Sequence, residues 1–160
     1  MTRRDIFTLA AAAAGSYVGL RALSPTSTAA AFEIEHSDAD WRQRLTPAQY
    51  AVLRGHGTER PGSSPLDHET AKGTYTCAGC GLPVYGSDTK YDSGTGWPSF
   101  FQPVAAENVT AHTDNSLGME RTEIECTRCD AHLGHVFDDG PAPTGKRYCM
   151  NGVALAFTKS

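Results

Sequence analysis

Four of the five cysteines fall in two Cys-x-x-Cys pairs, Cys77-Ala78-Gly79-Cys80 and Cys126-Thr127-Arg128-Cys129, with 45 residues between them. Any fold of this chain must accommodate what those thiols bind. Each pair makes a tight turn that offers two thiolates, and together they match a single tetrahedral ion held by four sulfurs. Zinc suits four soft thiolates and has no redox chemistry of its own, so a closed site of this kind is structural, with iron as a variant. Two other readings stay open. One pair could act as a thioredoxin-like dithiol, although the βαβ setting that this needs is missing. The four could instead form two disulfides in an oxidising compartment. The flanks of the pairs differ, so they read as two halves of one site and not as repeated modules.

A chain of 160 residues, 39% hydrophobic, is large enough for one domain with its own core. Sixteen glycines and nine prolines call for many turns. From Lys72 onward, short segments such as 74–76, 109–112, 121–126 and 147–158 are separated by turn residues, the pattern of an antiparallel β domain. Residues 40–54 read as two short helices. The second starts at Thr46-Pro47-Ala48-Gln49, which supplies an N-cap, a first-turn proline and a reciprocal glutamine, and Gly55 and Gly57 stop it. The Pro-, Gly- and Ser-containing stretch 60–69 reads as a surface loop without a domain boundary.

Residues 1–31 resemble a twin-arginine (Tat) export signal. Arg3 and Arg4 precede an alanine-rich apolar run, and Ala29-Ala30-Ala31 offers a cleavage site before Phe32. An ordinary N-terminal helix is the plainer alternative. The expected division is a signal at 1–31 and a functional domain at 32–160, with the product periplasmic or otherwise exported. Export of a folded, metal-loaded protein would protect the four thiols. No apolar run is long enough to span a bilayer, because Arg21 interrupts the only candidate. Removing 1–31 takes three basic residues and one acidic residue, so the net charge goes from −4 to −6. With no Lys/Arg cluster, a nucleic-acid partner is not expected.

Cys149 is left over. In a strand, the period of two places Arg147, Cys149 and Asn151 on one face, so a cation and an amide flank the sulfur. A nearby guanidinium favours thiolate, which lowers the thiol pKa; a core cysteine beside a surface arginine is the alternative. Val153, Leu155 and Phe157 extend the same parity into apolar territory unless Gly152 breaks the strand. His132-Leu133-Gly134-His135 carries two imidazoles able to act as acids near neutral pH, or simply two surface histidines. In Gly94-Thr95-Gly96-Trp97-Pro98, the loop can present the indole as a pocket wall or pack it into the core.

Four ordered blocks carry a resemblance that runs from Trp41 to Phe157. They are Arg54-Gly55-His56-Gly57-Thr58-Glu59-Arg60-Pro61, Tyr91-Asp92-Ser93-Gly94-Thr95-Gly96-Trp97-Pro98-Ser99-Phe100, His132-Leu133-Gly134-His135-Val136-Phe137-Asp138-Asp139-Gly140-Pro141 and Arg147-Tyr148-Cys149-Met150-Asn151. They resemble the B-type peptide methionine sulfoxide reductases. The resemblance implies a mainly β fold of two antiparallel sheets with short N-terminal helices and one structural zinc ion on Cys77, Cys80, Cys126 and Cys129. It implies reduction of the R epimer of methionine sulfoxide in peptides, with Cys149 as nucleophile and a sulfenic acid left on it. His135 is then the main acid with His132 in support, Arg147 and Asn151 orient and polarise the site, Trp97 holds the substrate methyl and Phe137 lines the pocket.

Two positions depart from the family pattern. Many members carry a resolving cysteine where this chain has Thr95, so recycling is expected from an external thiol, either a small thiol or a thioredoxin-like protein. Gly152 stands where serine is more usual. The expected partners are oxidised peptides or proteins and that reductant, and the expected state is a monomer. The rival from another class is a zinc-knuckle protein-binding module without catalysis; a thiol–disulfide oxidoreductase and a reductase of free methionine sulfoxide are further alternatives.

Overall fold

Ser37 and Thr46 each start a helix by accepting a backbone N–H that the first turn leaves free. In the computed structural model, which describes residues 32–116 and 118–160, Asp40 N donates to Ser37 Oγ at 3.2 Å and helix α1 spans Asp38–Arg44. Its start lies two residues before the expected Asp40 because Ser37 is the cap. Helix α2, Pro47–Leu53, has both bonds of the anticipated capping box: Gln49 N to Thr46 Oγ1 at 3.2 Å and Thr46 N to Gln49 Oε1 at 3.0 Å. The export-signal reading falls on residues 1–31, outside the described residues. Among the described residues no helix is long and apolar enough to cross a membrane.

The remainder is mainly β, as expected. Strands β1 (Gly73–Cys77), β2 (Pro83–Gly86), β3 (Lys90–Tyr91), β4 (Ser99–Phe100), β5 (Val109–Asp114), β6 (Arg121–Cys126), β7 (Ala131–Phe137), β8 (Arg147–Met150) and β9 (Leu155–Lys159) form two antiparallel sheets. A three-stranded sheet has the order β2-β1-β9, and a six-stranded sheet has the order β3-β4-β8-β7-β6-β5. The core holds Leu53, Tyr75, Val84, Tyr85, Phe100, Ile124, Leu133 and Met150, all fully or almost fully buried. Phe100 stacks on Tyr85 at 4.4 Å and meets Tyr75 edge-on at 5.0 Å, so its short strand β4 is pinned between the sheets by aromatic packing. That strand lies directly beside β8, which carries Cys149.

The segment 147–158, one strand by sequence, is two strands in different sheets. β8 ends at Met150, a short 3-10 turn runs Gly152–Ala154, and β9 joins β1. The backbone N–H groups of Gly152 and Val153 turn away from any ladder and donate to the Glu59 carboxylate. Gly152 is buried against Ser64, whose side chain occupies the space a Cβ at 152 would take. The apolar parity from Cys149 to Phe157 is therefore broken at Gly152, and the last two apolar positions belong to the other sheet.

Candidate active site and metal centre

The two Cys-x-x-Cys turns meet. Cys77 closes β1 and Cys126 closes β6, and each is followed by the turn that carries its partner. All four sulfurs lie within 4.8 Å of one another, with Cys77 and Cys129 at 3.7 Å and Cys80 and Cys126 at 3.5 Å. A zinc tetrahedron with Zn–S near 2.3 Å has sulfur–sulfur edges of about 3.8 Å, so this donor set fits the ion in number, chemistry and spacing. No disulfide joins them, since these separations are far above the ~2.05 Å of an S–S bond. The helices clamp the site. Arg54, just past α2, donates Nη1 to the carbonyls of Cys129 (2.9 Å) and Asp130 (2.7 Å), with its guanidinium 5.3 Å from the buried ring of Trp41 in α1.

Strand register builds the second site around Cys149. It pairs with Ser99 of β4 on one side and His135 of β7 on the other, and His135 pairs in turn with Glu123 of β6. A pocket of about 140 Å³ opens over it, lined by Trp97, His135, Phe137, Cys149 and Asn151 together with Thr58 and Arg121. Trp97 is held as a wall by its indole N–H, which donates to the Glu59 carbonyl at 3.1 Å.

Two predicted site residues lie outside that pocket. His132 is 1% exposed and sits behind it. Spacing of three would put His132 and His135 on opposite faces of a regular strand. An irregularity in the β6–β7 pairing at Leu133 brings them to the same face, opposite Glu125 and Glu123 respectively, with their rings 5.4 Å apart. His132 Nδ1 meets Glu123 Oε1 at 2.5 Å, and the same oxygen lies 2.6 Å from His56 Nδ1. Burial pushes the His132 pKa down against the pull of Glu123. Burial raises the Glu123 carboxyl, but the hydrogen bonds and charges of His56 and His132 together outweigh it and hold that carboxyl below its usual range. With Nδ1–H donating to Glu123, His132 Nε2 is an acceptor for Asn151 Nδ2 at 3.5 Å. Asn151 also donates to Leu133 O at 3.2 Å and accepts from Glu59 N at 3.0 Å, so its amide fixes the end of β8.

Arg147 is the other. Its guanidinium binds Asp139 through two bonds of 2.8 Å and stacks 4.4 Å from the Phe137 ring centroid. The expected depression of the Cys149 pKa does not result. Burial raises it, the Asp139 charge adds to that rise, and the Thr95 hydroxyl at 3.9 Å and the charge and hydrogen bonding of Arg147 only partly offset it.

The sequence reading missed Asp114, Arg121 and Glu123. Asp114 Oδ2 takes both His135 Nε2 at 2.8 Å and Arg121 Nη2 at 2.6 Å, which fixes the imidazole. Hydrogen bonds from Ser116 and His135 hold the Asp114 carboxyl well below the usual range. A signal existed: Arg121, Glu123 and Glu125 alternate along β6, a polar face that the structure leaves half-buried or buried. Strands with a charged face turned inward mark sites.

The SelR domain family matches residues 45–159. The chain is 57% identical over 127 residues to the peptide methionine sulfoxide reductase MsrB of Methanosarcina mazei, covering 79% of this chain and 91% of that protein. Identity to the protein of the same name in Agrobacterium fabrum is also 57%, over 125 residues, covering 78% and 93%. With that of Leptospira interrogans it is 55% over 128 residues, covering 80% and 98%.

Proposed function

The chain belongs to the SelR-domain family of MsrB peptide methionine sulfoxide reductases, and we propose that it reduces the R epimer of methionine sulfoxide in polypeptides through a sulfenic acid on Cys149. The observation that carries this reading is the pocket over Cys149, about 140 Å³ and walled by Trp97 and Phe137, which fits one thioether side chain beside one thiol. The substrate methyl and methylenes lie against the two aromatic faces. His135, held by Asp114, is the hydrogen-bond and proton donor for the sulfoxide oxygen. Deprotonated Cys149 attacks the sulfoxide sulfur. The oxygen, protonated on leaving that sulfur, ends on Cys149, and methionine departs with its sulfur lone pair restored. Thiol and sulfoxide thus become sulfenic acid and thioether with atoms and electrons conserved.

His132 and Asn151 position the end of β8, and Arg147 braces Phe137 while placing positive charge near Cys149. No second cysteine stands near Cys149, since the other four form the metal cluster. An external small thiol or thioredoxin-like protein therefore returns the sulfenic acid to thiol, and the four-cysteine cluster holds a structural zinc ion. Export through residues 1–31 would direct this repair to envelope proteins.

The test is turnover of a peptide carrying both sulfoxide epimers, with dithiothreitol as reductant. Only the R epimer should disappear, and Cys149→Ser should abolish the loss. No consumption by zinc-loaded, folded protein would refute the reading and favour a zinc-knuckle binding module.

A further inference from the structure

The pocket over Cys149, about 140 Å³, has room for one side chain, so a polypeptide that places a methionine sulfoxide there must leave across the rim. Exposed Thr58 is part of that rim. Thr58 also lines a larger groove of about 660 Å³, walled by helix α2, the segment 58–66 and residues 152–155. The two cavities adjoin at a second place, where Asn151 lines the pocket and Gly152, the next residue, lines the groove. Glu59 fixes this shared rim. Its N–H donates to Asn151 Oδ1 at 3.0 Å, its carbonyl accepts the Trp97 indole N–H at 3.1 Å, and its carboxylate takes the N–H groups of Gly152 and Val153. The same residue thus holds the wall of the pocket and the floor of the groove.

The chemistry of the groove differs from that of the pocket. Ala51, Val52, Leu66, Val153 and Leu155 give it apolar surface, and its two charged groups, Glu59 and Arg60, are opposite in sign. Selection there rests on apolar contact and not on net charge.

We propose that this groove is a subsite for the substrate polypeptide and takes an aliphatic side chain two positions from the methionine sulfoxide. The inference rests on the reductase reading above and adds a sequence preference to it. Side chains two positions apart in an extended chain share a face and stand about 7 Å apart, the step that carries a chain over one residue of rim. The occupant follows from the continuity at Thr58 and from the chemistry of the lesion. Methionine packs into apolar cores and its oxidation disrupts them, so the chain segments that present methionine sulfoxide carry aliphatic neighbours.

The experiment uses full-length, zinc-loaded protein and three kinds of substrate. Two are peptides with leucine or serine two positions from the methionine sulfoxide, placed on the N-terminal or the C-terminal side. The third is N-acetylmethionine sulfoxide methylamide, too short to reach the groove. On one of the two sides, kcat/KM should be about fivefold higher for leucine than for serine, carried by KM, from partial burial of one leucine side chain. Ala51→Glu, on the exposed face of α2, places a carboxylate in the groove and should bring that ratio close to one. Equal kcat/KM for leucine and serine on both sides overturns the proposal, as does an unchanged ratio in folded Ala51→Glu. Failure to reduce the methylamide and the peptides alike would instead overturn the reductase reading on which it rests.

Discussion

Glu59 ties the active-site loop to the break between the two sheets, and replacing it with alanine should be costly far beyond a surface substitution. Its two carboxylate oxygens accept the N–H groups of Gly152 and Val153, which have no strand partner. A hydrogen bond to a charged group is worth about 1.5–3 kcal/mol, with a comparable cost for an orphaned buried donor. Gly152 is buried, so its loss should count fully, at about 2 kcal/mol. Val153 is half-exposed, so water can replace the acceptor and roughly 1 kcal/mol remains. The sum, about 3 kcal/mol, lowers the Tm of a domain this size by roughly 10 °C. Glu59→Gln keeps one acceptor oxygen and should lose about half as much. Thermal and urea unfolding of the three metal-loaded proteins measures this directly. A loss below about 1 kcal/mol in Glu59→Ala would show that the turn holds itself and that the reasoning is wrong.

Four further outcomes follow from the site. Alkylation of Cys149 by iodoacetamide in substrate-free protein should rise with pH to a midpoint above that of an ordinary thiol, because burial raises its pKa. Asp139→Asn should move that midpoint down, since the carboxylate raises the thiol pKa and occupies Arg147; an upward shift would refute the assignment. Cys80→Ser, or a strong chelator, should release one zinc per chain with loss of cooperative unfolding, measured by metal analysis and circular dichroism; retained cooperativity would refute a structural metal. Gly134→Ala should cost about 1–3 kcal/mol in denaturant unfolding, since its Cβ would overlap the Cys149 carbonyl oxygen and lie 2.9 Å from Met150 Cα, both backbone atoms. Wild-type stability in that variant would mean that β7 and β8 can separate freely.

The sequence by itself determined the pieces whose physics is local. The capping box at Thr46 and Gln49 depends on four consecutive residues, and the short alternating segments depend on a period of two. Cys-x-x-Cys pairs announce a four-thiol site because each turn brings its own two sulfurs together. Family blocks around Trp97, His132–His135 and Cys149 make the reductase resemblance visible in the sequence alone. What the sequence left undecided depends on register between distant strands. Nothing local shows that 147–158 splits between two sheets, because the acceptor that stops the ladder is Glu59, distant in sequence. Spacing of three hides that His132 and His135 share a face, since an irregularity opposite Ile124–Glu125 shifts the alternation. Asp114 and Glu123 are ordinary surface acids until β5 and β6 pair beside β7. The direction of the Cys149 pKa was likewise a tertiary matter: Arg147, two residues before it on the same strand, argues for a thiolate, but burial and the Asp139 charge push the pKa up.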